Sequence, residues 1–183
     1  MLYEDIGPVA IIDTETTGIN PLVSEVVEFA GIRVEKDGTE STFHTYIRPK
    51  NMNPEFAEGP YKEIVAQQFE KRRHLFESAK PMTEVYSEIL SFLKGTILIG
   101  HNVAFDEYML NADFYKSGID KRVPYNKIDT KALAVEHLFP KGLKSASLDP
   151  VRKFLNISSD GAHTAMKDVE DTKLLFELLW RQK

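Results

Sequence analysis

The chain has 183 residues, of which 42% are hydrophobic and 28% charged, with a formal net charge of −5 and no cysteine. These values suit one globular domain with a sizeable core, and they speak against a protein that coats nucleic acid by bulk attraction. They also exclude disulfides and thiolate metal sites, and no apolar run reaches the roughly 20 residues that a membrane span requires.

Residues 1–7 carry acids where a signal peptide would carry a basic region, so a cytoplasmic protein without a membrane partner is expected. Val9, Ala10, Ile11 and Ile12 form a continuous apolar run before a turn-rich stretch holding Gly18, Asn20 and Pro21. Such a run predicts a strand buried on both faces. Further strands are predicted over 26–34 and 42–47, with the Asp37-Gly38 pair supplying the hairpin turn between them. Prolines and glycines mark 49–60 as a loop.

Residues 62–76 read as a helix with a poor apolar stripe, hence one lying on the surface. Val85, Ile89, Phe92 and Leu93 give 82–93 a better stripe. A short strand at 96–99, a helix over 104–115 ended by Gly118, and a small strand at 127–130 follow. The next helix stops before Pro140, and helices over 148–155 and 164–181 complete the chain. Strands first, then alternating helices and strands, predict a mixed sheet with helices on its faces. No repeat or linker interrupts the order, so residues 1–183 are expected to form a single domain.

Three constellations carry chemistry. In Asp13-Thr14-Glu15-Thr16-Thr17-Gly18, strand alternation points Asp13 and Glu15 the same way. Adjacent carboxylates repel and resist desolvation, and a hard divalent cation such as Mg²⁺ or Mn²⁺ relieves both costs. Taken alone, the pair reads equally well as a solvated turn. In His101-Asn102-Val103-Ala104-Phe105-Asp106, the acid falls in a helix's first turn, where the macrodipole favours it whatever its role. His101 and Asn102 can hydrogen-bond across the strand end. In His163-Thr164-Ala165-Met166-Lys167-Asp168, Gly161 and Ala162 place His163 on a loop leading into the last helix. Asp168 borders that helix's core stripe of Ala165, Val169, Phe176 and Leu179. A lone loop histidine is by itself only an exposed polar residue.

Together, in this order and at these intervals, the three segments resemble the DnaQ-like DEDDh 3′–5′ exonucleases. That family includes the proofreading epsilon subunit of bacterial DNA polymerase III and stand-alone enzymes of its type. Histidine rather than tyrosine in the third segment points to the histidine subgroup. The resemblance implies a ribonuclease H-like α/β fold, a mixed five-stranded sheet flanked by helices. It implies two divalent ions, Mg²⁺ or Mn²⁺, held by Asp13, Glu15, Asp106 and Asp168, with His163 as general base. The implied substrate is a single-stranded nucleic-acid 3′ end, DNA favoured over RNA, with Thr16, Thr17, Asn102 and Phe105 lining the pocket for the terminal nucleotide. Phe105 reads equally as a core residue.

Two departures limit the resemblance. Many relatives carry an Ile-His-Gly-Ile type element that seats the terminal base, whereas this chain has Pro60-Tyr61-Lys62 through Lys71-Arg72-Arg73. The run from Lys71 to His74 can touch strand phosphates or simply form a solvated face. No polymerase-binding segment follows the helix bearing Asp168, so polymerase association through the C-terminus is not expected. The nearest alternative keeps the chemistry and changes the polymer: an RNA-trimming exoribonuclease of the oligoribonuclease or RNase T type. A binding module without catalysis, or a small-nucleotide phosphatase, fits less well, the first having no use for five clustered polar groups and the second lacking a glycine-rich phosphate cradle.

Overall fold

Strand β1 (Val9–Thr16) is the axis of the molecule, because it is paired on both sides. It runs antiparallel to β2 (Val26–Val34) along its whole length and parallel to β5 (Ile97–Gly100) over Val9 to Ile11. The computed structural model describes residues 2–53, 62–160 and 164–181. Val9, Ala10, Ile11 and Ile12 are each 0% exposed, as an apolar run covered on both faces requires. The strand continues past that run through Asp13 to Thr16, further than the apolar residues alone predict.

β2 turns into β3 (Glu40–Arg48) through the expected Asp-Gly corner: Gly38 has φ 88°, and Glu35 N donates to Thr39 O at 2.9 Å. α1 (Lys62–Ser78) leads to a two-residue strand β4 (Lys80–Pro81). α2 (Met82–Leu93), β5 and α3 (Val103–Lys116) follow. β6 (Lys127–Asp129), α4 (Thr130–Leu138), α5 (Leu148–Phe154) and α6 (Ala165–Leu179) complete the order. The sheet order is β4-β3-β2-β1-β5-β6. The sheet therefore has six strands where five were expected. The sixth, β4, pairs only Lys80 and Pro81 with the end of β3, too short to leave a periodic signal, and proline is tolerated at an edge.

Strand alternation sorts the core into two layers. Ala10, Ile12 and Phe29 pack with Val85, Ile89 and Leu93 of α2 and with Leu110 and Phe114 of α3. Val9, Ile11, Ala30 and Ile32 face the other way, against Ala165, Val169 and Phe176 of α6. Gly31 marks a close approach on the α2 side: a Cβ there would stand 2.6 Å from Phe92 Cε1. Its bareness lets Phe92 lie over β2 in ring contact with Phe29 and Phe43.

α1 is not the surface helix its sequence predicts. Phe69 is 3% and Phe76 0% exposed, packed with Val27, and Tyr46 meets Phe76 edge-on. Each buried phenyl contributes roughly 1.5–3 kcal/mol, enough to anchor a helix whose other faces are charged.

Candidate active site

The chemistry-bearing residues meet at the C-terminal end of β1. Asp13 and Glu15 share the strand face of Ile11, the side covered by α6, while Thr14 points towards α3. There Asp106, in the first turn of α3 and 4% exposed, accepts two hydrogen bonds on Oδ1. Thr14 N donates at 2.9 Å and Thr14 Oγ1 at 2.7 Å. One residue of β1 thus fixes the acid contributed by the opposite layer.

The turn between β5 and α3 is set by backbone geometry. Asn102 takes a left-handed conformation, φ 78°, and its amide donates to Asp129 Oδ1 at 2.9 Å. His101 spans the strand end, with Nδ1 3.0 Å from Thr130 Oγ1 and Nε2 2.7 Å from the Ala146 carbonyl. Burial lowers its pKa, and the ring fastens the strand end by donating from Nε2 to the Ala146 carbonyl.

Asp168 comes from the first turn of α6, and a residue the sequence did not single out holds it in place. Arg152 of α5 is 2% exposed. Its Nη2 donates to Asp168 Oδ1 at 2.6 Å, its Nε to Asp171 Oδ2 at 2.7 Å and its Nη1 to Asp149 Oδ1 at 2.8 Å. Across the cleft, Arg72 of α1 reaches two other acids: Nη1 donates to Glu28 Oε2 at 2.5 Å, and Nη2 lies 3.9 Å from Glu15 Oε2. The Lys71 to His74 run is therefore not simply a solvated face. A cavity of ≈ 600 Å³ lies between α1 and α5, lined by Glu15, Thr16, Phe69, Arg72, Arg152 and Asp168 among others.

Electrostatics show how tightly the acids are gathered. Burial pushes the Asp13 carboxyl well above its usual range, and the nearby Asp106, Asp168 and Glu15 charges push it further. Burial likewise raises Glu15 to about 8, against the pull of Arg72. Asp106 rises to about 7, again chiefly by burial, despite the opposing Thr14 hydrogen bonds. Asp13 and Glu15 each keep a solvent-facing edge, so ions can still reach them.

The four acids expected to converge therefore stand at one end of the sheet. His163 lies outside the described residues. Of the four residues expected to line the nucleotide pocket, Thr16 borders the cavity, and its hydroxyl donates to Gly18 O at 2.7 Å. Thr17 is 2% exposed and its Oγ1 accepts from Glu25 N at 2.9 Å, closing the turn after β1. Phe105 packs on the α2–α3 core, and Asn102 shapes the start of α3.

Among the described residues, no three His, Asp or Glu side chains form a ready-made ligand cluster. Asp106 is turned to Thr14, and Asp168 to Arg152. The donor chemistry nonetheless fits a hard divalent cation. It consists of carboxylate oxygens whose burial makes their charge costly unless a cation shares the site.

These raised values fix the sign of a pH effect. An acid whose folded pKa lies above its unfolded one stabilises fully below the unfolded value and loses that contribution as pH rises through the folded one. For Asp106 the window runs from 3.8 to about 7, and for Glu15 from 4.5 to about 8. Thermal melts in chelator should therefore show Tm falling between about pH 4 and pH 8. A loss of ~2 kcal/mol corresponds to roughly 4–8 °C for a chain of this size. Mg²⁺ or Mn²⁺ at the upper pH should reverse the fall. A Tm that stays flat or rises across the window contradicts the burial of these charges.

A family model described as exonuclease (RNase_T) matches residues 10–176. The PolC-type DNA polymerase III of Thermotoga petrophila is 31% identical over 170 residues, covering 91% of this chain and 11% of that protein. The Streptococcus mutans polymerase of the same type is 28% identical over 174 residues, covering 94% and 11%. The chain thus spans about a tenth of the length of the curated relatives it matches. Among solved structures, E. coli exonuclease I in complex with a dT13 oligonucleotide aligns with TM-score 0.73 at 21% identity, over 96% of this chain and 41% of that one. The nuclease domain of 3′hExo, a DEDDh family member bound to rAMP, aligns with TM-score 0.72 at 20% identity, over 96% and 92%. The shared architecture is the mixed, ribonuclease H-like sheet flanked by helices, here with the short sixth strand.

Proposed function

The chain belongs to the DnaQ-like exonuclease family, and on that premise we propose that it releases nucleoside monophosphates from the 3′ end of single-stranded DNA. One observation carries the reading: Asp13 of β1, Asp106 of α3 and Asp168 of α6 lie close enough that each of the last two raises the pKa of the first. Asp13, Glu15, Asp106 and Asp168 would hold two divalent ions, Mg²⁺ or Mn²⁺, which when bound polarise the phosphoryl group and make water nucleophilic near neutral pH.

The chain's own groups do the rest. Thr14 holds Asp106 by two hydrogen bonds, and Arg152 holds Asp168, so the carboxylates are oriented before substrate arrives. His163 is assigned the proton of the attacking water. Imidazole is the side chain best suited to exchange a proton with water near neutral pH. Thr16, at the cavity edge, is assigned to the terminal nucleotide.

DNA is favoured because the similar proteins include DNA polymerases and an exonuclease crystallised with dT13. The RNA-trimming alternative draws support from the nuclease domain bound to rAMP. Among the described residues no helix is long and apolar enough to cross a membrane, and the lack of cysteine supports work in a reducing cytoplasm.

Oligonucleotides labelled at the 3′ or the 5′ end, incubated with Mg²⁺, with Mn²⁺ or with chelator, test the direction of attack. Labelled mononucleotide released at once from the 3′-labelled strand, and only with a divalent ion, is the expected result; early release from the 5′ end overturns it. Competing DNA and RNA strands in the same tube separate the two polymer readings.

A further inference from the structure

Two arginines flank the acids, and their hydrogen bonding differs in a way that assigns them different work. Arg152 has Nε, Nη1 and Nη2 each committed to a carboxylate, of Asp171, Asp149 and Asp168 respectively. It is an internal fastener. Arg72 commits only two of its three nitrogens: Nη1 donates to Glu28, itself 1% exposed, and Nε to the Gln68 carbonyl at 3.3 Å. Glu28 is in turn held by His44 Nε2 at 2.9 Å. The Phe76 ring lies beneath the guanidinium, its centroid 5.9 Å from Cζ.

What remains is Nη2. Among the described residues no hydrogen bond engages it: Glu15 Oε2 lies 3.9 Å away, beyond hydrogen-bond reach, and Arg72 lines the cavity that Glu15 and Asp168 also line. A guanidinium is a planar fork whose geometry matches phosphate oxygens. Here its plane is already fixed by Glu28, Gln68 and Phe76, so little orientational freedom is lost on binding an anion.

We propose that Arg72 is a catalytic residue that donates from Nη2 to a non-bridging oxygen of the scissile phosphate. The assignment rests on the exonuclease reading above and adds to it a phosphate ligand supplied by α1. No bond is made or broken by the residue. It neutralises charge that grows on the phosphoryl oxygens as the water oxygen attacks and the leaving 3′ oxygen departs. Because the guanidinium is oriented in advance, its contribution is largest at the transition state.

The test compares wild type, R72Q, R72K and the double variant R72Q/E28Q on two substrates: a single-stranded oligonucleotide and the p-nitrophenyl ester of thymidine 5′-monophosphate. The ester has the scissile phosphate and no upstream strand. R72Q is expected to lose about 100-fold in kcat on both, the scale of removing one preorganised donor. R72K, which keeps the charge without the fork, should recover part of the loss. R72Q/E28Q, which also removes the carboxylate left without its partner, should regain thermal stability without regaining activity. Mn²⁺ affinity measured by calorimetry should change far less than kcat in R72Q, since Arg72 shares a field with Glu15 at 3.9 Å but hydrogen-bonds none of the four ligand acids. A loss confined to the oligonucleotide overturns the assignment in favour of an upstream phosphate. Recovery of activity in R72Q/E28Q overturns it in favour of a purely structural ion pair. Wild-type protein inert towards both substrates with either ion would instead bring down the exonuclease reading, and this assignment with it.

Discussion

Replacing Asp13 by asparagine is expected to lower exonuclease turnover on the order of 10³-fold while making the chelator-treated protein more heat-stable at pH 8. The two halves have one cause. Asp13 lies at the meeting point of Asp106, Asp168, Glu15 and Glu28, so its charge is opposed by burial and by four like neighbours. Those are the conditions under which a cation binds most favourably and a bare protein is most strained. Asparagine keeps the volume and removes the charge. It therefore relieves the repulsion at high pH and forfeits the ligand at every pH. The stability gain should shrink as pH falls and vanish below the ordinary aspartate value of 3.8, where the wild-type carboxyl is protonated in both folded and unfolded chains. Melts of both proteins from pH 4 to pH 8, with kcat on a labelled oligonucleotide, check the pair of effects. Full turnover in the variant would separate β1 from the chemistry. Turnover lost together with stability would make Asp13 a packing residue.

A second large effect is expected at Arg152, and there it falls on folding first. The Arg152→Met variant leaves Asp171, whose side chain is 4% exposed, without its principal partner. Stranding a buried charge in this way costs about 3–5 kcal/mol, or roughly 10 °C in Tm for a chain of this size. Lys167, whose Nζ lies 2.6 Å from Asp171 Oδ1, offsets part of that loss. Adding Asp171→Asn should restore about half of the Tm, because the uncompensated carboxylate is then gone. If the double variant melts no higher than Arg152→Met, the loss comes from packing of the arginine stem rather than from charge.

These two residues also mark the reach of sequence reasoning. The central strands, the Asp37-Gly38 hairpin, α2 and the core stripe of α6 all follow from periodicity and turn chemistry, since short-range patterns encode them. β1 extends through Thr16 for a different reason. Asp13, Thr14 and Glu15 look like a turn by polarity, but β2 supplies a pairing partner for each of them. α1 hides its buried face because Phe69 and Phe76 are separated by the charged run Lys71-Arg72-Arg73-His74, which dominates any local average. Arg152 sits three residues after Asp149 and so resembles an exposed helical ion pair. Only the packing of α5 against α6 makes it a buried hub. The one local hint was Asp171, an acid within the inward-facing run of Thr172, Leu175 and Leu179. The four acids were legible because their spacing is shared with a family; Arg72 surfaced only within a charge run, and Arg152 not at all, because neither belongs to the three recognised segments.

The pairing of β1 on both edges has a consequence for how such a domain can diversify. The floor that bears Asp13 and Glu15 is stitched into the middle of the sheet, whereas the cavity walls are borne by α1, seated by Phe69, Phe76 and the Arg72–Glu28 pair, and by α5, tied through Arg152 to α6. Helices on the banks can be lengthened, re-angled or exchanged while the bed stays put. On the exonuclease proposal, choosing a polymer and cutting it would fall to separate parts of one small machine, and selection could revise the first without retooling the second.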